Sequence, residues 1–280
     1  MRIAAAPISW GVCEVPGWGH QLTADRVLAE MRELGLTATE LGPDGFLPAG
    51  RDLLGQYGLR AVGGFVPVVL HDPAHDPLPG LRATWDSFGA DVVVVLAAAT
   101  GTDGYDTRPE LDDTGWRTLL GNLDRVAAEA KEAGRAVTLH PHVGTMVETG
   151  QEVDRVLEGS SVALCLDTGH LLIGGGDPLD LVTRAAGRIA HVHLKDVDHA
   201  LAARVRAGEL SYTEAVRAGI YRRLGLGDVD VKGIVAGLTE SGYTGWYVME
   251  QDVVLDGEPP AGAGPADDVR ASVEFLRGLA

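Results

Sequence analysis

Leu164-Cys165-Leu166-Asp167-Thr168-Gly169-His170 and, after a glycine-rich turn and a short helical pattern, Arg188-Ile189-Ala190-His191-Val192-His193-Leu194-Lys195-Asp196 decide how this chain is read. Each half is an apolar run that becomes acidic or imidazole-bearing at its C-terminal end. Side chains alternate along a strand, so His191, His193 and Lys195 share one face while Val192 and Leu194 take the other. Polar groups at the mouths of consecutive strands are what a metal-centred barrel enzyme needs.

The same pattern recurs on both sides of this stretch. Strands are predicted at residues 2–8, 37–41, 59–66, 91–96 and 136–139, then up to Asp167, up to Lys195 and at 246–250. Residues 91–96 carry four valines and a leucine, the continuous apolar run of a strand buried on both faces. Between the strands lie helical patterns. One runs from the cap residue Thr23 to Gly35, another over 114–133, with Leu119, Leu123, Val126 and Ala130 along one face. Eight strands alternating with helices over 280 residues predict an α/β fold, a single (β/α)8 TIM barrel spanning 1–280. Residues 198–223 interrupt the rhythm with two short helical patterns and read as an excursion of the loop after strand seven.

Composition narrows the function. Hydrophobic residues make up 45% of the chain and charged ones 22%, enough for a large core and against disorder. A formal net charge of −17 opposes nucleic acid and anionic membrane surfaces. Two cysteines, Cys13 and Cys165, make no disulfide framework, and Cys165 reads as a small core residue. There is no signal-like segment and no apolar run near the ~20 residues of a membrane span, so a soluble, cytoplasmic enzyme is expected.

Sites in such barrels lie at the C-terminal strand ends. Those ends collect Ser9 and Trp10, Glu40, His71, His140 and His142, Asp167 and His170, His193 and Lys195, and Glu250. Strands five to eight are neighbours, so their imidazoles and carboxylates can converge. A mixed oxygen and nitrogen set suits a divalent first-row ion.

Asp167-Thr168-Gly169-His170, His191-Val192-His193-Leu194-Lys195-Asp196 and Val248-Met249-Glu250 resemble the metal motifs of the xylose-isomerase-like barrel superfamily, which includes sugar phosphate isomerases and epimerases. Within it, Ala6-Pro7-Ile8-Ser9-Trp10-Gly11, His140-Pro141-His142-Val143-Gly144-Thr145, Leu224-Gly225-Leu226-Gly227-Asp228-Val229-Asp230 and Gly245-Trp246-Tyr247-Val248-Met249-Glu250-Gln251-Asp252 are similar to the inosose dehydratases of inositol catabolism. The resemblance covers nearly the whole chain. It implies that Asp167, His193 and Glu250 are metal ligands, with manganese or cobalt favoured and zinc, iron or magnesium also accommodated. The superfamily's fourth ligand is a glutamate ending strand five. This chain has His140 there and His142 on the same face, so one of the two takes that place.

The missing glutamate removes one of the paired carboxylates that keto-sugar epimerases use. Dehydration of a keto-cyclitol (inosose, 2-keto-myo-inositol) is the activity implied. A base removes the proton α to the ketone, the metal holds the enediolate oxygens, and an acid protonates the departing hydroxyl. His142, His170, Lys195 and the ligand Glu250 are the catalytic candidates. Trp10, Glu40, His170 and Lys195 are the substrate-binding ones. Trp10 is read as a wall for the ring or as rim packing, Glu40 as a hydroxyl partner or a support for the ligands, and Lys195 as a substrate contact or a rim lysine paired with Asp196 or Glu148. An isomerase or epimerase using the same enediolate is the alternative, and a homo-oligomer is expected by analogy.

Overall fold

The computed structural model describes residues 1–279. Eight parallel strands close a barrel: β1 Arg2–Ala5, β2 Ala38–Glu40, β3 Arg60–Val68, β4 Val93–Ala98, β5 Val137–Leu139, β6 Ala163–Asp167, β7 Ile189–Leu194 and β8 Trp246–Met249. Their order around the barrel is sequential, with β1 pairing both β2 and β8. The (β/α)8 reading of the sequence therefore holds. Helices connect the strands on the outside, the longest being Asp113–Glu132, whose Leu119, Leu123, Val126 and Ala130 are buried. Between β2 and β3 the connecting helix is a single turn, Leu53–Gln56.

Strand register aligns the site. Asp167 on β6 lies beside His193 on β7, and His193 beside Val248 on β8. The ladders run on past the strand ends, with His140 N–H donating to Leu96 and Glu250 N–H to Leu194. Four consecutive strand mouths thus present His140, Asp167, His193 and Glu250 at neighbouring positions.

Residues 7–10 do not extend β1. Pro7 opens a one-turn 3-10 helix, Pro7–Trp10, closed by Gly11. The excursion after β7 forms helices His199–Arg206 and Tyr212–Arg217 and a two-stranded antiparallel ribbon, Asp196–Val197 against Tyr221–Arg222. The stretch at 224–230 folds around Asp196, whose carboxylate accepts from Val197, Gly225, Gly227 and Val229 N–H groups. No described helix is long and apolar enough to cross a membrane.

A candidate metal centre at the C-terminal mouth of the barrel

Asp167 divides its two oxygens between structure and site. Oδ1 caps the short helix Thr168–Ile173, accepting from Gly169 N and His170 N at 2.8 Å each. Oδ2 is left facing inward, 3.3 Å from His140 Nε2 and 3.6 Å from His193 Nδ1. Glu250 Oε2 is 3.4 Å from the same His193 Nδ1. One donor atom from each of Asp167, His193 and Glu250 lies within 4.8 Å of the others, and all three side chains are buried.

His193 is oriented from behind. Its Nε2 lies 2.8 Å from Glu40 Oε1, which also takes His191 Nε2 at 2.7 Å. Nδ1 is buried and has no hydrogen-bond partner, as is Nδ1 of His140. Buried nitrogens left unpaired are costly unless something else satisfies them, and two carboxylate oxygens beside His193 Nδ1 make a cation the fitting occupant. A carboxylate holding the outer nitrogen of a ligating imidazole is the usual support of such a ligand. His140 belongs to clusters with Asp167 and with His193, whereas His142 belongs to none.

Gly63 makes room for Glu40. The two residues are paired in the β2–β3 register, and a Cβ at Gly63 would overlap the Glu40 carboxylate. Burial opposes ionisation of Glu40, but the charges and hydrogen bonds of His193 and His191 overcome it and hold the carboxyl below its usual range.

Lys195 is fully enclosed. Its ammonium lies 2.6 Å from Asp252 Oδ1, 3.0 Å from Glu250 Oε2 and 3.0 Å from His170 Nε2. Burial disfavours the charge, yet Asp252, Glu250 and Asp167 raise its pKa well above the lysine norm. Its partners are not the Asp196 or Glu148 of the rim-lysine alternative. Asp252 also accepts from Tyr212 OH at 2.8 Å; Tyr212 touches Tyr221 OH at 3.0 Å, and Tyr221 reaches His170 Nδ1 at 3.4 Å. The excursion thereby places Tyr212 in the wall of the site and Tyr221 behind it.

His142 lies at the cavity surface. Nδ1 bonds to the Val143 carbonyl at 2.7 Å, and the ring packs against Tyr105 and His170 with centroids 4.3 and 3.7 Å apart. Burial, reinforced by His140 and Lys195, lowers its pKa well below the histidine norm.

Together these groups border a cavity of about 630 Å³ lined by Glu40, Phe65, Tyr105, His140, His142, His193, Lys195, Tyr212, Glu250 and Asp252, among others. Two expectations need correction. Trp10 does not line it: the 3-10 turn swings the indole into the core, where Nε1 donates to Glu30 at 2.8 Å and the side chain is 0% exposed. His170 lies one layer back, behind His142 and Lys195, because the helix capped by Asp167 turns it away from the opening. Glu40 lines the cavity, and of its two readings the geometry favours support of the ligands, since its Oε1 is engaged by two imidazoles. His71 is likewise outside the lining.

Several residues of the site carried no role in the sequence reading. Asp252 follows Glu250 by two positions, so strand alternation pointed to it. His191 shared the His193 face. Tyr105 sits in a loop, Tyr212 opens a six-residue helix and Tyr221 lies in a two-residue strand, all too short to give a periodic signal.

The xylose isomerase-like TIM barrel family model matches residues 84–279. The inosose dehydratase of Geobacillus kaustophilus is 36% identical, with 98% of this chain and 93% of that protein covered. The rhizopine catabolism protein MocC of Rhizobium meliloti is 37% identical over 90% of this chain and 82% of its own length. Among solved structures, the probable 3-DHS dehydratase AsbF of Bacillus anthracis superposes with a TM-score of 0.70 at 14% identity, covering 99% of both chains. The IOLI protein, solved with a zinc atom, gives 0.65 at 13% identity over 100% of this chain and 98% of its own. At those identities the two structures speak for the fold alone. Sequence motifs, closed barrel and matched family model agree that this chain belongs to the xylose isomerase-like TIM barrel family.

Proposed function

We propose that the protein removes water from a keto-cyclitol, with inosose (2-keto-myo-inositol) as the parent substrate. The reading is carried by one observation: Asp167, Glu250 and the unpartnered His193 Nδ1 converge at the cavity that His142 and Lys195 also border. The similarity to proteins named inosose dehydratase supports the choice of reaction.

Asp167, His193, Glu250 and His140 would hold a divalent ion, with manganese or cobalt the preferred metals for so mixed a donor set. Such an ion supplies Lewis-acid stabilisation of negative charge on the substrate's ketone oxygen. Proton handling belongs to the chain. His142 is unprotonated at neutral pH because burial, reinforced by the nearby Lys195 ammonium, depresses its pKa. With Nδ1 committed to Val143, its Nε2 is the atom that takes the proton α to the ketone. Lys195, an ammonium held by Asp252 and Glu250, donates to the departing β-hydroxyl. His170 and the Tyr212–Asp252 pair keep that ammonium in place.

The test is direct. Purified protein with inosose and Mn²⁺ or Co²⁺ should generate the absorbance of a conjugated diketone. Solvent deuterium entering recovered substrate without loss of water would instead select an isomerase or epimerase.

A further inference from the structure

Two sets of donors converge on one nitrogen of His193. Its Nε2 is held by Glu40, so Nδ1 is the atom it can offer to an ion, and that atom is buried without a hydrogen-bond partner. Asp167 Oδ2 and Glu250 Oε2 lie 3.6 and 3.4 Å from it. The other set is made of His140, Cys165 and His193, one donor atom from each lying within 4.8 Å of the others.

Strand geometry puts the thiol there. Cys165 precedes Asp167 by two positions on β6, so both side chains take the same face. The register sets Asp167 beside His193 and Cys165 beside His191, one layer deeper in the barrel. His140 and His193 line the cavity and Cys165 does not. Cys165 is 0% exposed, His140 and His193 2% each. His140 Nδ1, like His193 Nδ1, is buried and unpartnered, so both imidazoles flanking the thiol have unmet bonding capacity.

Donor chemistry separates the two sets. Carboxylate oxygens suit manganese and magnesium, whereas a thiolate beside imidazoles suits zinc and ions like it. Zinc holds such ligands at about 2.0–2.3 Å, and a coordinated thiol gives up its proton outright.

We infer that Cys165, His140 and His193 form a deeper site for a thiophilic divalent ion, zinc foremost. An ion there takes His193 from Asp167 and Glu250 and excludes the ion of the proposed reaction. The inference rests on the metal-centre reading but not on the choice of substrate.

The experiment loads the full chain with Mn²⁺, followed by its electron paramagnetic resonance, and titrates it with Cd²⁺, whose bond to a thiolate absorbs in the ultraviolet. The expected result is a cadmium–thiolate band that saturates at one ion per chain, with Mn²⁺ released in step. Cys165→Ala should abolish the band while Mn²⁺ still binds. Its Cd²⁺ affinity should fall by more than the roughly 10- to 100-fold that loss of a ligand's support costs. Cys13→Ser, which removes the only other thiol, should keep the band. Cadmium binding without a band, or a band retained by Cys165→Ala, overturns the inference. So does Mn²⁺ that stays bound beside Cd²⁺, because His193 Nδ1 cannot serve both, and so does a chain that binds no Mn²⁺, because nothing is then excluded. If Cys165→Ala does not fold, Cys13→Ser decides: a band that survives there belongs to Cys165, and one lost there overturns the inference. Inactivity of the Mn²⁺ form on inosose would overturn the dehydratase reading and leave this result standing.

Discussion

Glu40 Oε1 lies 2.8 Å from His193 Nε2, and this one contact determines which nitrogen of the imidazole faces Asp167 and Glu250. The carboxylate comes from β2 and reaches across the barrel interior, through the space left by Gly63, to a histidine on β7. Glu40→Gln keeps the shape but weakens the hold on both His191 and His193. Divalent-metal affinity should fall 10- to 100-fold, the usual cost of losing such a support. Competition against a chromogenic chelator measures it.

Metal binding should release protons. In the metal-free protein burial opposes charging of His193, but the carboxylates of Glu250, Glu40 and Asp167 outweigh it and raise its pKa well above the histidine norm. The imidazole therefore carries a proton on the nitrogen that must bind the metal. Raising the pH removes that proton, so affinity should increase with pH across the neutral range. Calorimetric titration with Mn²⁺ in buffers of different ionisation enthalpy would reveal the proton; a heat independent of buffer would contradict it.

Lys195→Met separates the stability and chemistry of the ammonium. The variant leaves the buried carboxylates of Asp252 and Glu250 without their cation. Unfolding of the metal-free form should become easier by about 3–5 kcal/mol, the cost of removing one partner from a buried ion pair. Added metal should restore part of this through Glu250. Turnover should fall by roughly 10² to 10⁴, as when a proton donor is lost. Denaturant melts with and without metal, beside kcat, distinguish the two effects.

Asp196 adjoins Lys195 but serves the fold. Its carboxylate gathers four backbone N–H groups from the ribbon and the 224–230 stretch, and it is 0% exposed. Asp196→Ala would orphan those donors at about 1–3 kcal/mol apiece where they stay buried. The expected outcome is a loss of stability above ~4 kcal/mol, which places it among the largest single-residue effects. Thermal melting of the variant checks this.

Much of the barrel was legible because strand burial imposes composition. Four valines and a leucine at 91–96, and apolar runs ending in Asp167, Lys195 and Glu250, leave few other readings. The alternation rule also explains why His193 and Lys195 were readable as one face. It failed at Trp10, where Pro7 starts a turn instead of more strand, and at His170, which sits on a helix with a different period. Asp252 is within reach of the same rule, two positions beyond Glu250.

The sequence by itself determined the eight strands, their order and the residues at their mouths, since these follow from local periodicity and from motifs a few residues long. Only the tertiary structure decided that Glu40 supports His193, that Trp10 belongs to the core, and that Lys195 is caged by Asp252 and Glu250. It alone brought Tyr212 and Tyr221 from the excursion into the site. Glu40 and His193 are 153 positions apart, Tyr212 and Asp252 are 40 apart. Contacts at such separations depend on barrel closure and on the pairing of the Asp196–Val197 ribbon, and no local pattern encodes either.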